Sequence, residues 1–351
     1  MTEPALDTRA RQVLLAIIAE YVETTEPVGS RSVARRHMRG LSPATIRNVM
    51  ADLEDMGYLV QPHTSAGRVP TDKAYRYYVD ELERMRWTPA APGPPAAARE
   101  SGLPPVAPDR VMAEASTRLS AGSHMTGILL APPLTSTVLD RLELVRLGDG
   151  RALLVLVTDS GWITTRPVAL EARHAADELR EMGRSLTRRY RGHTFQAVLD
   201  DLSAPADTLD PLWTRHGALV EQIMALLRDR TLYISGATNL LDHPDFGEKA
   251  TLRRLLKAFE EKARLIDVLT QMAGERGVQV IIGTENPVPD MQECSLITSS
   301  FMFRDQVLGV LGVVGPRRMQ YSGVIGLVEE TARQVSTSLA RPGPDQLYLP
   351  G

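Results

Sequence analysis

Apolar residues recur at threes and fours near the start of the chain. Val13, Leu14, Ile17, Ile18 and Tyr21 share one face, which predicts a helix over residues 8–24, with Thr8 as its cap and Pro27 and Gly29 ending it. A shorter helix is predicted from Arg31 to about His37, capped by Ser30, with a turn at Arg39-Gly40. A third opens at Ser42-Pro43, where serine can accept from the free N–H groups and proline suits the first helical position. Ile46, Met50, Leu53 and Met56 form its apolar stripe, and Gly57 supplies its stop. Two short extended runs then flank a small polar turn, Tyr58-Leu59-Val60-Gln61-Pro62 before it and Arg68-Val69-Pro70-Thr71 after it. Residues 72–87 predict another helix, with Tyr75, Tyr78, Val79 and Leu82 on one side for core packing.

The periodicity then disappears. Residues 88–108 are rich in proline, alanine and glycine and predict a semi-stiff linker between an amino-terminal head and the rest. Beyond it, helix is expected over 110–119 and strand over 127–131. Strands follow over 139–147 and 151–159, joined by Gly148-Asp149-Gly150, a hairpin signal, and a third over 162–170. Helical patterns cover 174–190, 194–201 and 208–229, and a short strand and turn 232–241. A long helix is expected over 248–275, then strands over 278–283, 294–303 and 307–315, then a closing helix over 321–339. The order suggests one sheet, running through 139–159 and 278–315, interrupted by an insertion.

Charge changes this picture at one place. From Pro27 to Asn48 the chain carries Arg31, Arg35, Arg36, Arg39 and Arg47 and no acidic residue. A short helix, a tight turn and a serine-capped second helix make a helix-turn-helix, whose second helix reads base edges in the major groove. The local basic charge suits phosphate contact. The following hairpin looks like the wing of a winged helix. Candidate DNA contacts are therefore Arg31 and Ser42 on phosphate, Thr45, Arg47 and Asn48 at the bases, and His63 and Arg68 in the wing.

The run Ser42-Pro43-Ala44-Thr45-Ile46-Arg47-Asn48, the stretch from Ala51 to Asp80 and the upstream Glu26-Pro27-Val28-Gly29-Ser30 resemble the heat-inducible transcription repressors of the HrcA family. Ala74 stands where that family often has glycine. Family-like stretches recur at 236–241, 283–287 and 312–321, so the resemblance spans nearly all the chain except the linker. It implies a multidomain α+β protein: an N-terminal winged helix-turn-helix over 1–87, then a GAF-like α/β domain in two segments, 109–164 and 266–340, interrupted by an inserted α+β dimerising domain over 165–265. It further implies a homodimer on an inverted-repeat operator upstream of chaperone operons, with activity supported by the bacterial chaperonin and lost on heat stress. The apolar helices at 208–229 and 248–275 are candidates for the dimer surface. An alternative is a transcription factor gated by a small-molecule effector in the GAF-like domain.

Composition narrows the rest. The 351 residues are 43% hydrophobic and 24% charged, with a net charge of −3, so nucleic-acid binding has to be local. The lone cysteine, Cys294, excludes an intrachain disulfide and reads as structural. No leader pattern opens the sequence and no apolar run reaches the ~18 residues that span a bilayer. A cytoplasmic, nucleoid-associated protein without membrane contact is expected. The seven histidines are scattered, and no cofactor, metal or catalytic constellation is expected. Gly309, Gly312 and Gly315 fall within a strand, which suits close strand packing and not a dinucleotide loop.

Overall fold

A computed structural model describes residues 6–339, apart from 64–65, 87–107, 133, 149, 160–161, 171–174, 204–215, 242, 274–276 and 304–305. The predicted linker thus lies outside the described residues except for Pro108, which opens a helix. The start of the 208–229 pattern and most of the turn after residue 303 also lie outside.

The head consists of α1 (Thr8–Thr24), α2 (Ser30–Arg36), α3 (Pro43–Asp55), the hairpin β1 (Leu59–Val60) and β2 (Val69–Pro70), and α4 (Asp72–Arg86). Two caps differ from expectation. Asp7, not Thr8, caps α1: its carboxylate accepts from the Ala10 N–H at 2.7 Å. Gly29 precedes α2, and Ser30 is a buried first-turn residue whose side chain does no capping. The predicted stripe on α3 buries Ile46, Met50 and Leu53, but Met56 remains 40% exposed because the helix has already ended. Gly57 follows at φ +78, a left-handed turn that glycine adopts without strain.

After α5 (Pro108–Ser123) the chain builds two separate sheets. The larger has the order β7-β3-β10-β9-β8, with every neighbouring pair antiparallel: β3 (Thr126–Leu130), β7 (Leu232–Ser235), β8 (Val278–Ile282), β9 (Cys294–Phe303) and β10 (Gln306–Pro316). Both of its faces are covered. Leu129, Leu311 and Val313 point towards α5 and the closing helix α11 (Tyr321–Leu339), while Ile128, Leu130, Val310 and Val314 point the other way. That period of two, buried on both sides, is why these strands read as unbroken apolar runs.

The smaller sheet is β4 (Leu139–Leu147), β5 (Arg151–Thr158) and β6 (Ile163–Ala169), in that order. Strands β4 and β5 pair as the expected hairpin, Leu147 opposite Arg151, but the single sheet expected through 139–159 and 278–315 is not present. Strands β4 and β5 pair with each other and β6 instead. Leu142, Leu144, Leu154, Leu156 and Val168 face a separate core supplied by α6 (Ala176–Tyr190), α7 (Phe195–Leu202) and α8 (Gly217–Arg228). The opposite face leaves Val145, Leu147 and Ile163 exposed.

The helix expected over 248–275 is two helices, α9 (Lys249–Glu260) and α10 (Lys262–Met272), broken at Glu261. Phe259 and Leu265 lie on either side of the break and are both buried in one core. Glu261 leaves helical geometry at ψ 62 and pairs with Arg264 at 3.0 Å. No helix among the described residues is long and apolar enough to cross a membrane.

Candidate nucleic-acid interface

The Ser42 side chain accepts from the Thr45 N–H at 3.1 Å, and the two hydroxyls lie 2.9 Å apart. The cap fixes where α3 begins, and its buried face fixes its rotation. Ala44, Arg47, Asn48 and Ala51 therefore form one exposed stripe at helical spacing, opposite Ile46, Met50 and Leu53. Two of those four are alanines, so the helix backbone is free to approach a groove floor closely. Arg31, Arg35, Arg39 and Arg47 are exposed and make no ion pair with another described residue. An arginine cluster without carboxylate partners retains its full field for phosphate.

A buried carboxylate links α1 to α2, and apolar periodicity carries no signal for it. Glu20 on α1 is 4% exposed. It accepts from the Ser32 hydroxyl and lies 3.4 Å from Nε2 of His37, so one side chain lies beside both ends of α2. Its position beside the apolar stripe of α1 reads as a solvated helix flank, which is why sequence periodicity misses it.

The wing seats on the loop after α1. Val28 and Arg68 exchange backbone hydrogen bonds of 2.9 and 2.8 Å, adding a bridge to the β1–β2 pair. Gly67 permits this approach: a Cβ there would sit 2.5 Å from the Val28 carbonyl oxygen and 2.6 Å from that of Pro27. Gly67→Ala should therefore cost about 1–3 kcal/mol of head stability, as overpacking against backbone does, and lower DNA affinity with it. Urea titration and gel shift on the same preparation check this; an unchanged midpoint would show that the wing shifts without penalty.

The seven candidate contacts fall into three groups. Arg31, Ser42, Thr45, Arg47 and Asn48 lie on α2 and the first half of α3, Thr45 being half-buried by its cap. His63 is exposed at the wing turn. Arg68 differs: its guanidinium meets Glu54, on the last turn of α3, at 2.7 Å and is 20% exposed. That pair ties the wing to the helix beside it.

Elsewhere, no group of His, Cys, Asp and Glu among the described residues has the arrangement of a metal site. Cys294 is buried, and burial pushes its thiol up to about 12, so it stays protonated and inert at neutral pH.

Residues 5–83 match the family described as winged helix-turn-helix transcription repressor, HrcA DNA-binding, and residues 109–325 match the HrcA protein C-terminal domain. A protein of Geobacter sulfurreducens named heat-inducible transcription repressor HrcA is 42% identical to this chain, covering 95% of it and 98% of the relative. One of the same name from Syntrophobacter fumaroxidans is 38% identical, covering 97% and 99%. The fold is similar to a crystal structure titled only as a hypothetical protein, with a TM-score of 0.67 and 23% identity over 96% of this chain and 99% of that one.

Proposed function

The chain belongs to the heat-inducible transcription repressor HrcA family, and from that premise we propose that it silences chaperone operons by binding an inverted-repeat operator as a homodimer. It is a heat-inducible transcription repressor with a DNA-binding winged-helix domain, a non-enzymatic function. The observation that carries the finer reading is the exposed stripe Ala44-Arg47-Asn48-Ala51 on a capped helix, bordered by arginines that no described carboxylate pairs. In this reading Arg47, Asn48 and Thr45 address bases, Arg31 and Ser42 address phosphates, His63 reaches from the wing tip, and Arg68 holds the wing in place.

One head offers few base contacts, whereas two related by a dyad match an inverted repeat. The apolar stripes of α8 and α9 pack within the chain's own cores. The outer face of β4-β5-β6 is apolar where Val145 pairs Leu153 and Val157 pairs Ile163. That supports moving the inserted dimerising module from the expected 165–265 to residues 134–228, with the larger sheet as a GAF-like domain formed by the segments on either side. The bacterial chaperonin then maintains the active repressor, and heat, by diverting chaperonin to unfolded proteins, releases the genes. The protein acts in the cytoplasm, at the nucleoid.

Asn48→Ala is expected to cost about 1–3 kcal/mol at one operator position, while Arg31→Ala should weaken all duplexes alike and reduce the salt slope by about one. Footprinting on the chaperone-operon promoters, with and without chaperonin, tests the whole reading. Equal protection of random duplex by a folded, paired protein would end it.

A further inference from the structure

The head is fastened to the body by a polar joint. Asp72, in the first turn of α4, accepts from the backbone N–H and the hydroxyl of Thr284, at 3.0 and 3.1 Å, and from Arg317 at 3.2 Å. Four residues on, Arg76 donates to both carboxylate oxygens of Glu285 and to the carbonyl of Val280 on the edge strand β8. The turn at 283–285 is shaped to receive Asp72. Gly283 has φ +51, and a Cβ there would lie 2.2 Å from the Asp72 carboxylate. Beneath these contacts Tyr75 packs on Tyr321, ring centroids 5.8 Å apart, and both rings are buried. None of these residues belongs to the exposed stripe of α3.

We propose that Asp72, Arg76 and Arg317 are positioning residues for operator recognition: the joint they form fixes the recognition helix relative to the body and so sets the half-site spacing that a dimer accepts. The inference rests on the dimeric reading above. Half-sites lie a helical turn of about 34 Å apart, so a dimer selects one spacing only if each recognition helix is held at a fixed place on the body. Three side-chain partners, the Val280 carbonyl and a tilted, buried tyrosine pair hold the head in one such place. The charges also act in both directions, since Asp72 meets an arginine and a backbone donor while Arg76 meets a carboxylate and a backbone acceptor. Sliding the head along the edge would lose all of them together.

The test uses the full-length protein and three duplexes: one half-site, the palindrome at its native spacing, and the palindrome lengthened by half a helical turn. The wild type should lose about 100-fold in affinity on lengthening, as a bivalent binder does when geometry forbids the second contact. Asp72→Ala/Arg76→Ala, and separately Arg317→Ala on the body side, should lose less than about tenfold on lengthening. Both should bind the single half-site as the wild type does, which also reports that the head is folded. If the wild type prefers the native palindrome and the variants lose as much on lengthening, the joint does not set spacing. Tighter binding by the variants at every spacing also overturns the inference, because the joint would then hold the heads out of register. A wild type that binds palindrome and half-site equally removes the dimeric reading first.

Discussion

Asp245→Ala is expected to destabilise the folded protein by about 3–5 kcal/mol, the cost of stranding a buried charge. Its partner, Arg318, is 8% exposed. The guanidinium donates to Asp245 from Nη2 at 2.8 Å and from Nε at 3.2 Å. It also reaches the Val22 carbonyl at the end of α1, 3.4 Å away, and lies over the Tyr21 ring, 5.7 Å from its centroid. Truncating the carboxylate leaves a buried cation without its counter-charge, and because the Asp245 side chain is itself 30% exposed, the lower part of the range is expected. Replacing both partners at once, Asp245→Leu with Arg318→Met, should cost less than the single change because no charge is left buried. Urea unfolding of the singles and the double measures this coupling. A double variant as unstable as the sum of the singles would show that packing, not charge, governs the site.

Ile46→Ala is expected to cost about 2–5 kcal/mol and to abolish DNA binding, since a fully buried β-branched side chain leaves a cavity on truncation. Ile46 has no exposed surface and faces the core between α1 and α3. It sits between Thr45 and Arg47, so the same residue that anchors the helix determines which way its neighbours point. Met56→Ala provides the contrast, for Met56 belongs to the same sequence stripe but is 40% exposed, and surface changes usually stay within about 0.5 kcal/mol. Thermal melting compared with gel shift separates the two. Loss of DNA binding by Ile46→Ala without loss of stability would place Ile46 at the DNA and not in the core.

The head was largely legible in the sequence because each signal there is local. Ser42 caps, Ile46, Met50 and Leu53 are buried, and the wing pairs where the extended runs suggested. The body was less legible because strand partnership is not local. Strands β4 and β5 carry the same alternation whichever sheet they enter, and only the core supplied by α6, α7 and α8 decides it. The break at Glu261 was not legible, because the apolar positions on either side of it are compatible with one continuous helical stripe. Glu20, Asp72 and Arg76 were not readable in their roles. Each is a charged residue on an exposed-looking helix flank, and its partner lies elsewhere in the fold, at residue 285 in the case of Arg76. Arg68 shows the same limit, since a basic wing residue looks free until Glu54 is found beside it.

The bond from Arg76 to the Val280 carbonyl has a consequence for solubility. Strand β8 ends the larger sheet, and an uncovered sheet margin invites pairing by any extended chain nearby. The folded head sits there as a stopper. Heat that unseats it would leave the repressor both silent at its promoters and prone to clump through that bare margin.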